Sequence, residues 1–431
     1  SPISISIGFG IMSFLITDFL IPKLKQNFTK IGLCGKDLSK KDKPILPESI
    51  GIITASTYLI IMFLFIPFLF SRFLVTSTSG GGNRDDGYFE NNINNNSNIT
   101  YTTLDKFSHV KLTEYLAALL SLMFMVLLGI ADDLFDIRWR TKFPLPIIGA
   151  IPLLVVYYVD FGVTSILLPN FLKSFFNSTT INLGVFYYIY MGSVAVFCPN
   201  SINILAGVNG LEVFQCVILS VIFLINDFCY LISSNFPQSK DSHLFSIVLI
   251  IPFLGSSMAL LKYNWYPAKV FVGDTYCYFG GMLFAIVGIL GHFSKTALLF
   301  FLPQIFNFVY SVPQLFGLIP CPRHRLPNYS IKDGLMYPSF TDLNYFKIIE
   351  KVLYILSYLR LLRIEEKTVN NEKHISRINN LTLINLTLIW FGPMREDRLC
   401  LTICGLQFVI GILALIGRHT LGPWLYGFDN L

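Results

Sequence analysis

The chain has 431 residues, of which 53% are hydrophobic and only 13% are charged. Soluble domains contain about 25% charged residues, so this composition excludes an ordinary soluble fold and favours a membrane protein. The net charge of +6 does not indicate nucleic-acid binding, because the basic residues lie between apolar runs rather than on one basic face.

Long apolar runs predict an all-α polytopic membrane protein. Runs of about 17 to 25 residues are needed to cross a bilayer as a helix. The first run has no small-residue cleavage site, so it is predicted to be a retained span rather than a signal peptide. We predict about ten spans, with nine or eleven left open, at 3–21, 50–71, 114–131, 144–159, 183–204, 211–232, 244–261, 275–291, 296–319 and 399–417.

The spans divide the chain into three predicted parts. Residues 1–319 form a transmembrane catalytic core, 320–398 form a small cytoplasmic subdomain between the last two spans, and 399–431 hold the final span and the tail. Within the core, residues 73–110 are rich in glycine and then in asparagine. Such a segment cannot bury enough apolar surface to fold, so we predict that it is disordered.

The distribution of basic residues predicts the orientation. An even number of spans divides the loops between two sides, and 24 of the 32 Lys and Arg residues lie in the loops of one side. Without the long loop 320–398 that side still holds 12, against 8 for the other side. Cytoplasmic loops carry the excess of basic residues, so the first loop and the others on its side are predicted to be cytoplasmic.

Two adjacent carboxylates, Asp132 and Asp133, follow the third predicted span, and Lys142 comes shortly afterwards. Carboxylates at the end of an apolar helix are costly unless they face water, a metal ion or a cation. An interfacial stop signal anchored by the nearby basic residues is an alternative interpretation. The pair alone does not distinguish a general base from a metal ligand or a salt bridge.

Polar residues interrupt the end of the fifth predicted span, where Asn200 and Asn203 follow Pro199 and Asn209 comes just beyond. Broken helices in membranes are tolerated only where they line protein or a watery cavity. Asn200 and Asn203 point to one helix face if the helix continues. Amide oxygens suit Mg²⁺, whereas amide N–H groups suit phosphate or a base edge. Hydrogen bonding between helices is the alternative.

Two further motifs share the predicted cytoplasmic face. Asp274 begins the eighth span and is either a helix cap or a site residue. The triplet Arg323-His324-Arg325 follows the ninth span and has prolines on each side, which leaves the backbone free to present guanidinium groups to a diphosphate. Anchoring at the membrane surface is the alternative for the triplet. The shared location of the clusters favours one common site.

Acids, amide oxygens and arginines on one face are the components of metal-assisted phosphoryl transfer. The sequence contains no Gly-x-x-x-x-Gly-Lys-Ser/Thr motif, which argues against an ATP-driven pump. A donor that already carries a diphosphate is therefore the simpler substrate. The acids of the Lys-rich first loop, such as Glu48, carry no signal of their own.

At these residues the chain closely resembles the polyprenyl-phosphate N-acetylhexosamine-1-phosphate transferase superfamily, and within it the eukaryotic branch. The motifs follow one another over nearly the whole chain, which is more specific than any one motif alone. They are Gly35-Lys-Asp-Leu38, Pro47-Glu-Ser49, Ala131-Asp-Asp133, Arg138-Trp-Arg140, Asn203-Ile-Leu-Ala-Gly-Val-Asn-Gly-Leu-Glu212, Val270-Phe-Val-Gly-Asp-Thr275, Gly291-His-Phe-Ser-Lys-Thr296 and Cys321-Pro-Arg-His-Arg325.

The resemblance implies an activity and its location. The implied reaction moves GlcNAc-1-phosphate from UDP-GlcNAc to dolichyl phosphate, releases UMP and begins N-glycan assembly. The implied location is the endoplasmic reticulum membrane, with the site facing the cytoplasm. The lipid bilayer is thus an expected partner and nucleic acid is not. A homodimer is an oligomeric state that the sequence leaves open.

The resemblance also implies roles for individual residues. Asn203 and Asp274 match the Mg²⁺ ligands, and Asp132 and Asp133 match an acidic pair whose role as base or organiser is open. Lys142 and the segment 196–204, which includes Asn200 and Ile202, match the site for the lipid phosphate. The matching nucleotide-sugar contacts are Lys36, Asp37, Leu38, Glu48, Asn209, Arg323, His324 and Arg325.

Three other classes of protein compete with this interpretation. A nucleotide-sugar transporter would also need Arg, Asn and acids, but transporters place such groups near the membrane midplane. A non-catalytic scaffold would have no need for Asp274 together with the basic triplet. A superfamily enzyme that acts on another polyprenyl phosphate is the nearest enzymatic rival, and the long loop after Arg325 favours the eukaryotic form.

Overall fold

The computed structural model describes residues 2–69, 109–232, 237–322, 325–343, 347–369 and 372–426. Nearly all of the segment predicted to be disordered, and both Arg323 and His324, lie outside these residues. The helices are α1 Pro2–Lys30, α2 Gly51–Leu69, α3 His109–Phe135, α4 Trp139–Lys142, α5 Pro146–Asp160, α6 Asn170–Phe176, α7 Val185–Ile204, α8 Leu211–Ile232, α9 Pro237–Asn264, α10 Asp274–Leu290, α11 Ser294–Phe300, α12 Leu302–Leu315, α13 Lys347–Tyr358, α14 Leu383–Phe391 and α15 Glu396–Tyr426.

The helices confirm the prediction of a polytopic α-helical membrane protein. In the described part of the chain, seven helices are long and apolar enough to cross a membrane: α1, α2, α3, α7, α8, α9 and α15. Helices α11 and α12 meet the same criterion together but bend by 71° at their junction, and α5 and α10 are shorter apolar helices. Each predicted span thus coincides with a helix or with this bent pair, and the exact count of ten stays a prediction.

Helix α10 forms the centre of the bundle, and every residue from Thr275 to Leu290 is buried. Its neighbours approach closely because glycines stand at the crossings. A Cβ on Gly129 of α3 would lie 2.4 Å from the Thr275 Cα, and a Cβ on Gly281 would lie 2.3 Å from the Pro199 Cα of α7. Small residues at such crossings let backbones pack directly, which is a main source of helix association in membranes.

The direction of the helices brings the polar clusters to one end of the bundle. Helices α3 and α7 finish at this end, whereas α2, α8, α10 and α15 begin there, so their connecting segments share one face. We call this face the site end. The polar residues that the sequence distributes over five loops are therefore neighbours in space.

Short antiparallel strands lie in the segments between helices and were not predicted. The pairs are β1 Cys34–Lys36 with β2 Ile45–Pro47, β3 Ser165–Leu167 with β4 Thr180–Asn182, and β5 Asn328–Tyr329 with β6 Met336–Tyr337. A three-stranded sheet has the order β7 Phe340–Asp342, β9 Glu372–Asn379 and β8 Ile364–Val369. Most of these strands have two or three residues, which is too short for the alternating pattern that identifies a strand in a sequence.

The region 320–398 packs along the end of α12 rather than extending freely from it. The Tyr310 hydroxyl donates to the Leu361 carbonyl at 2.5 Å, and the Ser311 hydroxyl donates to the Leu381 carbonyl at 2.7 Å. The Leu383 amide donates to Asn307 Oδ1 at 2.8 Å. These bonds hold the region against the bundle at the site end, where it supplies Arg325 to the cavity described next.

Candidate active site

A cavity of about 550 Å³ opens at the site end. Four segments line it: the first loop, the connection between α7 and α8, the loop before α10, and the region 320–398. The structure brings together most of the predicted contacts there, namely Lys36, Asp37, Leu38, Glu48, Asn203, Asn209, Asp274 and Arg325. Its size is that of a typical small-molecule site, which spans about 300 to 1,000 Å³.

Lys142 joins two acids at the edge of this cavity. Its ammonium donates to Asp132 Oδ2 at 2.7 Å and to Asp274 Oδ2 at 2.8 Å. Burial lowers the pKa of Lys142, but the charges of Asp274 and Asp132 outweigh burial and hold the pKa above its ordinary value. Lys142 is therefore a fixed cation that remains charged at neutral pH.

Asp133 has a different role from its neighbour, because it caps the start of α10. Its Oδ1 accepts from the Asp274 amide at 2.7 Å, and its Oδ2 accepts from the Thr275 hydroxyl at 2.6 Å and the Thr275 amide at 3.3 Å. A carboxylate on α3 thus satisfies backbone groups that begin another helix. Asp132 therefore pairs with Lys142, whereas Asp133 holds the backbone of Asp274 in place.

We expect Asp133→Ala to destabilise the protein by about 1 to 2 kcal/mol, the usual effect of losing a helix cap. Asparagine keeps one acceptor oxygen but turns its NH2 group toward a backbone donor, so Asp133→Asn should have a melting temperature between those of Asp133→Ala and the wild type. Thermal unfolding in detergent measures both variants. Equal stability of the alanine variant and the wild type would contradict the capping role.

The amides of α7 separate into two environments. Asn203 lines the cavity, and its side chain interacts with the Asp274 carboxylate. Asn200 is buried outside the cavity lining, and its amide nitrogen donates to the Val196 carbonyl at 2.8 Å and to the Phe143 carbonyl at 3.3 Å. Ile202 is fully buried in the core. Asn200 therefore bonds within its own helix and to the loop that follows Lys142, rather than to another helix. Its contact with the lipid phosphate stays a prediction.

Glu48 lies in the cavity wall among other acids. Burial raises the pKa of Glu48, and the negative charges of Asp133 and Asp274 raise it further. The loop that carries Glu48 is held to the loop before α10, because the Phe271 amide donates to the Pro47 carbonyl at 2.8 Å. The cavity wall thus places several carboxyl groups close together, and a bound cation would favour their charged forms.

The raised pKa of Glu48 predicts a pH-dependent gain in stability for Glu48→Gln. A carboxyl whose pKa is higher in the folded state stabilises the fold below its unfolded pKa, and that contribution is lost as the pH rises through the folded value. With a metal chelator present, the variant should melt at a higher temperature than the wild type near pH 7.5. The difference should vanish below about pH 4. A lower melting temperature of the variant at pH 7.5 would contradict the environment described for Glu48.

Asn209 and Arg325 line the cavity and are suited to bind an anionic nucleotide. The Asn209 amide nitrogen donates to Asp37 Oδ2 at 3.1 Å, which fixes the side chain in the cavity wall. Burial lowers the pKa of Arg325 below its ordinary value, although arginine remains charged. Its Nη1 is buried without a hydrogen-bond partner among the described residues. A buried guanidinium nitrogen with no partner is suited to a phosphate oxygen, which would satisfy it.

Sequence reasoning missed two acids of the cavity wall. Glu212 Oε1 accepts from the Gly207 amide at 2.7 Å, and Glu396 Oε1 accepts from the Asn209 amide at 2.9 Å. Both carboxylates line the cavity and shape the loop between α7 and α8. Glu212 is the last residue of the motif that begins at Asn203, so the sequence did contain a signal for it. Glu396 stands among charged residues before the last span, where an acid is ordinarily a solvated anchor.

The donor set fits Mg²⁺ that is shared with a substrate. Within the described ranges no group of three or more His, Cys, Asp or Glu residues could hold a metal by itself. Asp274 nevertheless offers a carboxylate at the cavity wall, and the neighbouring Asn203 offers an amide whose nitrogen donates to that carboxylate and whose oxygen is of the type that binds Mg²⁺. Mg²⁺ is commonly bound by one or two carboxylates together with substrate phosphates and water.

Comparison with known proteins identifies the family of the chain. Residues 115–292 match the Glycosyl transferase family 4 profile, and this range contains the acidic pair, Lys142, the amides and Asp274. The chain is also similar to proteins named UDP-N-acetylglucosamine–dolichyl-phosphate N-acetylglucosaminephosphotransferase in three organisms.

The Saccharomyces cerevisiae relative is 60% identical over 99% of this chain and 93% of its own length. The Schizosaccharomyces pombe relative is 47% identical over 100% of this chain and 95% of its own length. The Dictyostelium discoideum relative is 39% identical over 95% of this chain and 87% of its own length. The chain belongs to the UDP-N-acetylglucosamine–dolichyl-phosphate N-acetylglucosaminephosphotransferase family.

Proposed function

We propose that the protein transfers GlcNAc-1-phosphate from UDP-GlcNAc to dolichyl phosphate, giving GlcNAc-PP-dolichol and UMP. The observation that carries the proposal is the fixed cation Lys142, which lies between Asp132 and Asp274 at the edge of the cavity. The wall of this cavity also holds a buried Arg325 nitrogen that has no hydrogen-bond partner within the described ranges. Family membership supports both substrates, since the similar proteins carry them in their names.

The reaction forms one bond to the β-phosphorus of UDP-GlcNAc and breaks another. An oxygen of dolichyl phosphate attacks the β-phosphorus of UDP-GlcNAc, and the bond from that phosphorus to the bridging oxygen breaks, so that UMP leaves with the electron pair. The second pKa of a phosphate monoester is about 6, so the attacking oxygen is already deprotonated at neutral pH. In this proposal Asp132 orients Lys142, and no side chain needs to remove a proton.

The cavity residues divide into two groups around that phosphorus. Arg325 faces the diphosphate, where its orphan nitrogen would be satisfied, and Asn209 with Asp37 shapes the nucleotide end. Lys142 attracts the phosphate of the lipid, and the segment 196–204 of α7 contributes to the same lipid site. Positioning two anions beside each other while neutralising their charge is the main task in phosphoryl transfer.

We propose that Asp274 and Asn203 hold Mg²⁺. When bound there, the ion would supply positive charge to the phosphates. Removing divalent ions with a chelator should abolish UMP release, and added Mg²⁺ should restore it. Full activity in the chelator would overturn this part of the proposal.

We propose that the protein lies in the endoplasmic reticulum membrane and that its site end faces the cytoplasm. Its connecting segments are those that carry the excess of Lys and Arg, and cytoplasmic loops carry such an excess. The variant Lys41→Cys tests this orientation, because Lys41 is an exposed residue of the first loop. In intact microsomes it should be labelled by a membrane-impermeant thiol reagent beyond the level of the native cysteines. Labelling only after the membrane is permeabilised would contradict it. A homodimer stays a prediction.

The transporter is the second candidate, and a reconstitution experiment distinguishes it from the enzyme. Purified protein in liposomes with Mg²⁺ and UDP-GlcNAc should release UMP only when dolichyl phosphate is present. Uptake of labelled UDP-GlcNAc without UMP release would favour the transporter. Equal rates with undecaprenyl phosphate would instead favour an enzyme that accepts other polyprenyl phosphates.

A further inference from the structure

A buried ion pair links the start of the last helix to the first loop. Lys40 donates to the Glu396 carboxylate, and its Nζ lies 3.3 Å from Asp37 Oδ2. The side chains of Glu396 and Asp37 are each only 3% exposed. The reaction proposed above uses neither Lys40 nor Glu396, so the burial of two acids around one lysine needs another explanation.

The two acids meet again at Asn209. Glu396 Oε1 accepts from the Asn209 backbone amide at 2.9 Å, while Asp37 Oδ2 accepts from the Asn209 side-chain nitrogen at 3.1 Å. Asn209 is thus held by its backbone and by its side chain, and each bond ends on a carboxylate that pairs with Lys40. Without Lys40, two buried negative charges would face each other across this loop.

The lysine itself is held in place from a third side. Its ammonium lies 4.4 Å from the centre of the Tyr266 ring, a cation–π arrangement. Tyr266 belongs to the segment between α9 and α10, so Lys40 contacts this segment, the first loop and the start of α15. It reaches the loop after α7 indirectly, through Asp37 and Glu396. Three residues of this network, Asp37, Asn209 and Glu396, line the cavity themselves.

We propose that Lys40 and Glu396 are positioning residues of the nucleotide-sugar site, which fix Asp37 and Asn209 before UDP-GlcNAc binds. The inference rests on the proposed function, because it concerns the same cavity. Binding is tighter when the contacting groups are already held in place, since less ordering is needed on association. The ion pair should therefore act on the binding of UDP-GlcNAc and leave the chemical step and the lipid site unchanged.

Glu396→Gln tests the role of charge with little change in volume. Its amide oxygen can still accept from the Asn209 backbone, but it no longer pairs with Lys40. We expect the KM for UDP-GlcNAc to rise about tenfold, equivalent to about 1.4 kcal/mol. The kcat and the KM for dolichyl phosphate should stay within about twofold of the wild type. A purely structural role would lower the active fraction, and hence kcat, with no change in either KM.

Lys40→Met removes the same ion pair from the other side. This variant leaves Asp37 and Glu396 buried without their cation, so we expect a larger rise in the KM for UDP-GlcNAc than in Glu396→Gln. The double variant keeps only the Asp37 charge, so its KM should lie below that of Lys40→Met. Residues in one network give such non-additive effects, whereas independent residues give additive effects. If Glu396→Gln does not fold, Lys40→Met decides the question alone.

Asp342→Asn is the matched control. Asp342 pairs with Arg377 through a 2.6 Å bond on the exposed surface of the region 320–398, and it does not line the cavity. Its kinetic constants should equal those of the wild type. An unchanged KM for UDP-GlcNAc in both Glu396→Gln and Lys40→Met, in an active protein, would overturn the inference. An inactive wild-type protein would instead remove the proposed function itself, and the inference with it.

Discussion

Asp274→Asn is expected to reduce UMP release by about a hundredfold or more, the scale observed when one stabilising group is removed from an active site. The substitution keeps the volume but removes the negative charge that pairs with Lys142 at 2.8 Å. It also replaces the carboxylate proposed to hold Mg²⁺. The cap on α10 uses the Asp274 backbone amide, which the variant retains, so the protein should still fold.

The control for this variant is Asp18→Asn. Asp18 also pairs with a lysine, Lys262, at 2.8 and 3.0 Å, but this pair is partly exposed and does not line the cavity. Turnover and melting temperature of the control should match the wild type. Wild-type turnover of Asp274→Asn at saturating Mg²⁺ would remove Asp274 from the proposed machinery.

Gly129→Ala has the second large expected effect, and it acts through packing. The new methyl group would lie 2.4 Å from the Thr275 Cα, which is backbone and cannot swing aside. Helices α3 and α10 must therefore separate by about 1 Å, a change that costs about 1 to 3 kcal/mol in other overpacked cores. The separation moves Asp132 and Asp133 away from Asp274, so activity should fall on the order of a hundredfold.

Gly405→Ala provides the matched control within a membrane helix. Gly405 lies in α15, and a Cβ there would have no neighbour within 4 Å. The control should keep both its activity and its melting temperature. If Gly129→Ala behaves in the same way, the close approach of α3 and α10 does not position the acids.

Hydropathy was sufficient to locate the helices, because the bilayer requires long apolar runs whose backbone bonds are satisfied internally. The one-sided placement of Asp132, Asn203, Asp274 and Arg325 was also predictable, since an alternating path through the membrane fixes which loops are neighbours. The structure places these residues at one end of the bundle and most of them in one cavity.

The division of roles between neighbouring residues could not be predicted. Asp132 and Asp133 are indistinguishable in the sequence, yet one pairs with Lys142 and the other caps α10. The difference arises from how α3 crosses α10, which depends on the close contact at Gly129. Glu396 was missed for a related reason, because its partners Lys40 and Asn209 are far away in the chain and only the fold brings them together.

In the proposed reaction, the phosphorus next to the sugar moves to the lipid. UDP-GlcNAc carrying ³²P only at the β-phosphate, incubated with purified protein, Mg²⁺ and dolichyl phosphate, tests it directly. We predict that the label enters the lipid product in equal amount with unlabelled UMP. Release of labelled UDP, or unlabelled lipid that carries the sugar, would contradict transfer of GlcNAc-1-phosphate.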